Sequence, residues 1–402
     1  MRTWICCQLG SREHYAIPRA LDRQLFALIT DAWVTRQSLF NKLPKPVLTK
    51  LRERFHVDLE QASVYQFTTS LIYHELRQYL QKITGWDRMI SRNHWFQRQS
   101  VQALEKICQQ ANFPAEPTLF AYSYAALEIL RFAKSKGWRT ILGQIDPGPF
   151  EEELVLKEHL RRSNYQVDWQ PAPAHYWEMW REECALADRI MVNSAWSSQA
   201  LQKVGIAKDK INIIPLAYQP TVQSQNFVRS YPQAFSAKRP LRVLFLGQVL
   251  LRKGIAALLE AAELLRDAPV EFWIVGQVDI KIPEQYRLNS KLHWIGAVPR
   301  GGTAQYYQQA DVFLFPTLSD GFGLTQLEAQ AWKLPVIASQ FCGEVVQNEK
   351  NGMVLTEVSA NAIAEAIKFC VNHPAVLTTY ARASERVGLT LSELQHYLNS
   401  KY

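Results

Sequence analysis

Two adjacent cations stand in a strand-to-helix turn that runs from Gly247 to Gly254. These cations, Arg252 and Lys253, come just before the predicted helix, whose free N–H groups favour anions. Arginine can fork onto two phosphate oxygens, and lysine adds a compact positive charge. The arrangement therefore predicts a diphosphate site. The alternative interpretation is an exposed basic turn that binds nothing.

A pair of acids flanks a glycine-containing turn further along the chain. Asp320 precedes Gly321, Phe322 and Gly323, and Glu328 lies on the helix that follows. Glycine lets backbone N–H groups approach a ligand without hindrance from Cβ. Carboxylates accept hydrogen bonds from hydroxyl groups, so we expect one acid to meet a sugar and the other a ribose. The alternative is a capping acid at Asp320 and a surface acid at Glu328.

A third turn lies between Trp294 and Pro299, where another strand is predicted to end. The backbone of Ala297 and Val298 would present N–H and C=O groups to the edge of a base. Any glycine that ends a strand gives a similar pattern, so this signal is weak.

The elements that position these turns are short apolar runs alternating with helical patterns. The predicted strands of the second half are 241–246, 272–276, 292–296, 311–316 and 335–338, and the helices are 255–265, 301–309, 323–332 and 359–372. Strands that are apolar on both faces and alternate with helices indicate a parallel, doubly wound α/β sheet. Ligands of such sheets bind at the carboxyl ends of the strands.

The first half repeats this plan less clearly. Its predicted strands are 4–9, 118–122, 138–145, 189–193 and 211–214, and one helix is predicted from about Pro18 to Ala27. Residues from Arg36 to Ala111 are mostly helical by pattern, with a short strand near 63–67. Residues 218–240 are polar and contain three prolines, which indicates a linker. We therefore predict two Rossmann-like domains, at 1–217 and 241–385, and a helix at 386–402 that returns to the first domain.

The second half resembles the nucleotide-sugar-binding domain of the GT-B glycosyltransferases, in particular retaining family 4, over about residues 188–372. The E-G-F-G-x-x-x-x-E pattern of that family corresponds to Asp320 through Glu328, and its G-R-x-x-x-x-K-G pattern corresponds to Gly247 through Gly254. Further matches lie at 310–316, 334–339, 343–346 and 351–352.

The resemblance implies a GT-B fold, a UDP- or GDP-sugar donor, retention at the anomeric carbon, and neither a metal nor another cofactor. By similarity, Lys253 contacts the donor phosphates and Glu328 holds the ribose. Asp320 and the amides of 321–324 (Gly321, Phe322, Gly323 and Leu324) hold the donor sugar, and the backbone at Ala297 and Val298 holds the base.

Three departures from the family pattern bear on the site. Gln248 stands where the family has arginine, so we hypothesise that Arg252 substitutes for it. Asp320 replaces the usual glutamate and reaches one methylene less. Relatives often carry a histidine at the end of the strand predicted at 138–145, where this chain has no histidine. Asp146 is the candidate for the polar group near the reacting carbon, although an aspartate that begins a Pro-Gly turn is an equal alternative.

In the first domain, Gly10 occupies the turn after the first strand, where relatives bring a loop near the donor. Arg12 or His14 would then face the cleft, and Asn193 and Ser194 are candidates to line it.

The net charge is +8, and the excess of cations gathers between Arg36 and Lys106. Such a surface suits an anionic membrane or an anionic acceptor. The alternative is a solvated basic face above core tryptophans.

No nucleic-acid-binding motif accompanies the charge, no apolar run is long enough to span a bilayer, and the six cysteines form no C-x-x-C pair. These features predict a cytoplasmic protein, in peripheral contact with the inner face of the membrane if the basic surface binds lipid.

The sequence thus predicts a retaining, metal-independent glycosyltransferase of polysaccharide biosynthesis. It would move a sugar from a nucleoside diphosphate sugar to a saccharide or lipid-linked saccharide. The alternatives are a non-catalytic nucleotide-sugar-binding GT-B protein and an epimerase or hydrolase of nucleotide sugars.

Overall fold

A computed structural model of the chain describes residues 2–35, 38, 51–165, 169–384 and 388–402. Within these residues two parallel sheets are present. Their strands are β1 (Trp4–Gln8), β2 (Leu25–Thr30), β3 (Val64–Gln66), β4 (Thr118–Tyr122), β5 (Arg139–Gly143), β6 (Arg189–Val192), β7 (Ile211–Ile213), β8 (Leu241–Leu246), β9 (Val270–Val275), β10 (Leu292–Gly296), β11 (Val312–Phe315), β12 (Val336–Ser339) and β13 (Gly352–Leu355).

Helices connect the strands of both sheets. In the first domain they are α1 (Ala16–Leu21), α2 (Thr68–Leu80), α3 (Gly85–Ile107), α4 (Leu127–Ser135), α5 (Pro149–Arg161), α6 (Ala174–Leu186) and α7 (Ala195–Lys203). They continue with α8 (Val222–Gln225), α9 (Ile255–Leu264), α10 (Glu284–Arg287), α11 (Ala304–Gln309), α12 (Leu324–Ala331), α13 (Ala360–Asn372), α14 (Pro374–Ala383) and α15 (Leu391–Lys401).

The first sheet has the order β3-β2-β1-β4-β5-β6-β7 and the second has the order β10-β9-β8-β11-β12-β13. Each sheet is buried on both faces. Along β1, Ile5 and Cys7 join one hydrophobic cluster whereas Trp4 and Cys6 join another. This alternation follows from the two-residue period of a strand. The predicted pair of Rossmann-like domains is confirmed.

One predicted helix is wrong in its second half. The helix expected from Pro18 to Ala27 ends at Leu21, and β2 begins at Leu25. Ile29 pairs with Cys7 of β1 on one side and with Tyr65 of β3 on the other. Tertiary strand pairing therefore overrides the local helical pattern. The short strand expected near residues 63–67 is confirmed as β3.

The chain between the two sheets packs on the second domain. The Arg229 guanidinium donates to the carbonyl oxygens of Tyr307 at 2.6 Å and Trp332 at 3.0 Å. Further along, Leu398 and Tyr402, in and after α15, join the core of the first domain beside Trp4. The proposed domain limits stay predictions. Residues 36, 37 and 39–50, which belong to the predicted basic region, lie outside the described residues.

A glycine with positive φ fixes the turn that carries the two predicted cations. Gly254 has φ +74°, and a Cβ there would lie 1.9 Å from the Pro316 carbonyl oxygen. The Arg252 carbonyl also accepts a hydrogen bond from the Leu318 amide at 2.8 Å. The turn after β8 therefore lies directly against the segment that follows β11, which brings the two sequence motifs together.

We expect Gly254→Ala to lower the free energy of unfolding by about 2–4 kcal/mol, because it adds a left-handed alanine and an overlap with backbone. Gly205→Ala is the matched control, since Gly205 has φ +94° but no neighbour within 4 Å of the added Cβ. This control should lose only about 1 kcal/mol. Urea unfolding of both variants measures the difference, and equal losses would contradict the close approach at Gly254.

Candidate active site

The segments that follow β1, β8 and β11 line a common cavity. The order reverses between β1 and β4 in the first sheet and between β8 and β11 in the second, which is where such sheets bind ligands. The interdomain cavity has a volume of about 360 Å³. The first domain contributes Arg12, Glu13 and Asn193, and the second contributes Gly247, Gln248, Lys253, Asp320, Phe322, Gly323 and Leu324.

Four charged side chains meet beside this cavity, and we call them the Asp320 cluster. Lys253 Nζ forms an ion pair with Asp320 Oδ2, and Arg252 Nη1 lies 3.9 Å from the same oxygen. Arg252 Nη1 also lies 3.4 Å from Glu151 Oε1 on α5 of the first domain. The two predicted cations thus converge on one carboxylate, and Arg252 links the two domains.

The pKa values of the two acids in the Asp320 cluster are shifted in opposite directions. Burial acts to raise the pKa of Asp320, but Lys253 and Arg252 together hold this pKa below its ordinary value. Burial raises the pKa of Glu151 to about 7, partly opposed by Arg252. Asp320 is therefore a permanent anion that fixes both cations, whereas Glu151 titrates near neutrality.

The two cations of the turn face different spaces. Lys253 and Gln248 line the interdomain cavity. Arg252 lines an adjoining cavity whose other lining residues belong to the first domain, and it donates to the Ser319 carbonyl at 3.0 Å. The hypothesis that Arg252 substitutes for the family arginine at Gln248 stays a prediction.

The glycines of the Asp320 turn are required by contacts within the protein. A Cβ on Gly321 would lie 2.3 Å from the Ile145 carbonyl oxygen, and one on Gly323 would lie 2.6 Å from the Phe315 ring. The Gly321 carbonyl accepts hydrogen bonds from the hydroxyls of Ser194 at 2.8 Å and Ser197 at 3.2 Å. The turn is thereby docked on the first domain, at the N-terminus of α7.

Glu328 lines a neighbouring cavity of about 370 Å³, which we call the Glu328 cavity. The Tyr307 hydroxyl donates to Glu328 Oε2 at 2.8 Å. Leu324 lines both this cavity and the interdomain cavity, so the two adjoin.

Ala297 and Val298 follow β10 and are not among the lining residues of either cavity. Their contact with a base stays a prediction.

Gly10 and Asp146 lie at a third cavity, of about 890 Å³, which is lined by the first domain and by Arg252 of the second. We call it the arginine cavity, because its lining includes Arg12, Arg54, Arg88, Arg92 and Arg252. The Gly10 amide donates to Asp31 Oδ1 at 3.1 Å. Asp146 Oδ1 accepts from the Gly148 amide at 2.9 Å and from the Tyr124 hydroxyl. Asp146 therefore shapes a Pro-Gly turn while it also lines the cavity.

Sequence reasoning missed Glu13 as a site residue. Glu13, His14 and Tyr15 have φ values of 51°, 53° and 59°, a left-handed run that costs free energy in residues other than glycine. Tyr15 is buried and donates to the Arg54 carbonyl at 3.2 Å, which holds the run in place. The run carries Glu13 into the interdomain cavity, where Asn193 Nδ2 donates to its carboxylate at 3.3 Å. Burial raises the pKa of Glu13 to about 7.

The described part of the chain holds no group of three or more His, Cys, Asp or Glu side chains placed to bind a metal ion. In the same part, no helix combines the length and apolar character that a bilayer span requires.

Two facing parallel domains, with a cavity between the carboxyl ends of their strands, define the GT-B fold. Solved structures support this assignment of the fold. A sucrose-phosphate synthase from Thermosynechococcus elongatus superposes with a TM-score of 0.65 at 17% identity, over 100% of this chain and 98% of that one. Anabaena Alr3699/HepE in complex with UDP gives a TM-score of 0.59 at 13% identity, over 100% and 99%.

Residues 240–373, which lie in the second domain, match the family described as Glycosyl transferases group 1. Among curated proteins, the amylovoran biosynthesis glycosyltransferase AmsK of Erwinia amylovora is 24% identical over 190 residues, which are 44% of this chain and 45% of that protein. The chain spans about half the length of the first curated relatives that it matches. Membership of retaining family 4 stays a prediction.

We expect Glu13→Gln to stabilise the fold at alkaline pH and not at acid pH. Between its ordinary pKa and about 7, Glu13 keeps its proton in the folded chain and loses it in the unfolded chain. The folded chain therefore binds more protons, and its stability falls as the pH rises through that interval. At pH 8 the free energy of unfolding of the variant should exceed that of the parent by about 1–2 kcal/mol.

Denaturant unfolding at pH 4.5 and at pH 8 tests this expectation. Glu178→Gln, at an exposed position of α6, is the control and should show no such difference. A constant offset between Glu13→Gln and the parent at both pH values would contradict the assigned burial of Glu13.

Proposed function

We propose that the chain is a retaining, metal-independent glycosyltransferase that uses a nucleoside diphosphate sugar. The observation that carries this proposal is the Lys253–Asp320 ion pair. It lies in a cavity between two domains, where the strand ends of both sheets meet. The family match over residues 240–373 and the name of the AmsK relative support the same reaction class.

The donor would extend across two adjoining cavities. The interdomain cavity and the Glu328 cavity, of about 360 and 370 Å³, together fall in the size range of small-molecule sites. Lys253 would bind the diphosphate and Asp320 the sugar hydroxyls, while Glu328 would accept hydrogen bonds from the ribose. UDP is the first candidate because the Anabaena neighbour is in complex with UDP, and GDP is the second.

Charge explains how the cavity would promote transfer without a metal. Cleavage of the sugar–phosphate bond leaves negative charge on the departing diphosphate. Lys253 and the backbone amides at the start of α12 would stabilise this charge, which is the electrostatic route to catalysis. A phosphate oxygen of the donor would take the proton of the acceptor hydroxyl on the same face, and the configuration at the anomeric carbon would be retained.

We expect Lys253→Ala and Asp320→Asn to separate phosphate binding from sugar binding. Loss of Lys253 should weaken UDP binding at least tenfold and cost about 2–4 kcal/mol of transition-state stabilisation. Asp320→Asn should keep or improve UDP affinity, because the phosphate no longer competes with a carboxylate for Lys253, and should impair turnover. Titration calorimetry with UDP, and assays of UDP-sugar consumption with and without EDTA, measure both effects.

Lys350→Ala, at an exposed position of the second domain, is the control for loss of a lysine. Unchanged UDP affinity in Lys253→Ala would refute the placement of the diphosphate. Release of free sugar with no acceptor product would instead favour a nucleotide-sugar hydrolase, and binding without any turnover would favour a non-catalytic protein.

We further propose that the first domain contacts an anionic membrane through α2, where a lipid-linked acceptor would be reached. Tyr73, Leu76 and Leu80 recur at helical spacing, and their exposed fractions are 70%, 53% and 70%. Arg77 lies on the same helix and Lys82 just after it. Exposed apolar side chains beside cations are typical of helices that lie at a lipid interface.

We expect the double variant Leu76→Ser/Leu80→Ser to bind phosphatidylcholine vesicles containing phosphatidylglycerol about tenfold more weakly than the parent. Leu160→Ser is the matched control, because Leu160 is a helical leucine with an exposed fraction of 73% on α5. Vesicle co-sedimentation measures binding. Equal binding by the parent and the double variant would refute this surface.

A further inference from the structure

The arginine cavity contains more positive charge than the fold needs. It adjoins the interdomain cavity, since Arg12 and Ile145 line both. With a volume of about 890 Å³ it is large enough for a saccharide-sized ligand. Its wall follows β1 and β4, at the strand reversal of the first sheet.

Three guanidinium groups in this cavity share two carboxylates. Arg54 Nη1 donates to both oxygens of Asp31, at 2.8 and 2.7 Å, and Arg92 Nη2 donates to Asp31 at 3.0 Å. Arg88 Nη2 donates to Glu75 at 2.6 Å. One positive charge is therefore left without a matching carboxylate in this network.

The three guanidinium groups also have N–H donors that no carboxylate of this network uses. Each guanidinium carries several N–H donors in a planar fork, and the two carboxylates engage one nitrogen of each arginine by a hydrogen bond. Arg92 Nε is buried and has no hydrogen-bond partner among the described residues, since Glu75 Oε1 lies 3.6 Å away. An unpaired buried donor is costly, so this nitrogen indicates a missing acceptor.

A purely structural network would need fewer arginines. Asp31 is fully buried, and it also accepts from the Gly10 and Ala32 amides at 3.1 and 3.0 Å. Arg54 alone gives this carboxylate a cationic partner, because its Nη1 contacts both carboxylate oxygens. Arg88 and Arg92 come from α3 and converge on the same cavity, with 46% and 31% of their side chains exposed. They remain available to an anion from solution.

Aromatic side chains adjoin the arginines on the other side of the cavity. The Tyr124 and Tyr176 rings are stacked at 5.1 Å, and the Trp86 ring lies 4.9 Å from Tyr176. These three residues also line a smaller groove that continues from the cavity. Aromatic faces provide apolar area for the carbon skeleton of a ligand whose anionic group meets the arginines.

We propose that Arg54, Arg88 and Arg92 bind a phosphate or diphosphate group of the acceptor. This assignment rests on the proposed glycosyl transfer, and it specifies the substrate class at the acceptor side. Arginine forks match phosphate oxygens in pairs. The phosphate would be anchored in the arginine cavity, and the sugar attached to it would point towards the shared wall at Arg12.

Inorganic pyrophosphate is the first probe, titrated by calorimetry against the full chain saturated with UDP, so that the donor cavity is occupied. We expect Arg88→Ala and Arg92→Lys to weaken pyrophosphate binding about tenfold each, because one loses the charge and the other loses the planar fork. UDP affinity should stay unchanged in both variants. Arg98→Ala, an exposed position on α3, is the control.

Unchanged pyrophosphate affinity in variants that still bind UDP would overturn the assignment. If Arg92→Lys does not fold, Arg88→Ala decides alone, since Arg88 is largely exposed and pairs only with Glu75 among the described residues. Absence of both UDP and GDP binding by the parent chain would instead refute the proposed function, so the two failures are distinguishable.

Two further probes identify the source of the phosphate. Glucose 6-phosphate represents a soluble sugar phosphate, and phosphatidylcholine vesicles carrying a polyprenyl diphosphate represent a lipid-linked acceptor. Arg88-dependent competition with pyrophosphate by one of them supports the assignment and names the source. Competition by neither would refute a phosphate-bearing acceptor.

Discussion

The ion pair between Lys253 and Asp320 connects the separate parts of the site. Lys253 belongs to the turn after β8, and Asp320 belongs to the turn after β11. The Asp320 carboxylate also accepts from the Phe322 amide at 3.2 Å, and the next carbonyl, that of Gly321, is bound by the first domain. Desolvation makes buried ion pairs poor sources of stability. The chemistry of the cavity is therefore the better explanation for charges at this position.

The three cavities form a continuous series along the cleft. The Glu328 cavity shares Leu324 with the interdomain cavity, and the interdomain cavity shares Arg12 with the arginine cavity. In the proposed reaction this order corresponds to nucleoside, transferred sugar and acceptor. Charge changes along the series, because Glu328 lies at one end and a group of arginines lies at the other.

The second domain was the easier half to predict, because its chemistry lies within short stretches of sequence. Lys253 and Asp320 each stand in a recognisable turn, and strand order brings these turns together. Gly321 and Gly323 were expected to open the backbone to a ligand. In the structure, a Cβ on Gly321 would collide with a backbone carbonyl, and one on Gly323 would collide with an aromatic ring. Close packing between two domains leaves no signal in a single sequence.

The first domain was harder because its site is assembled from distant residues. Asp31, Arg54 and Arg92 lie far apart in the chain, although they meet at one cavity. Glu13 owes its position to three consecutive left-handed residues that are not glycine. No local preference predicts such a run, since it persists only where tertiary contacts such as that of Tyr15 hold it.

The chain crosses between the two domains twice, and the two crossings lie side by side. Ala217 and Leu389 form a bridge between the outgoing and returning segments, and the Tyr218 amide donates to the Leu389 carbonyl at 2.9 Å. This single bridge holds the two chain crossings side by side, and hinges of domain closure are built from a few loop or element-terminal residues, so rotation of the domains would concentrate here. Cleft opening would then swing Gly321 away from Ser194 while the hinge stays intact. Substrate entry would then depend on rotation about these two crossings.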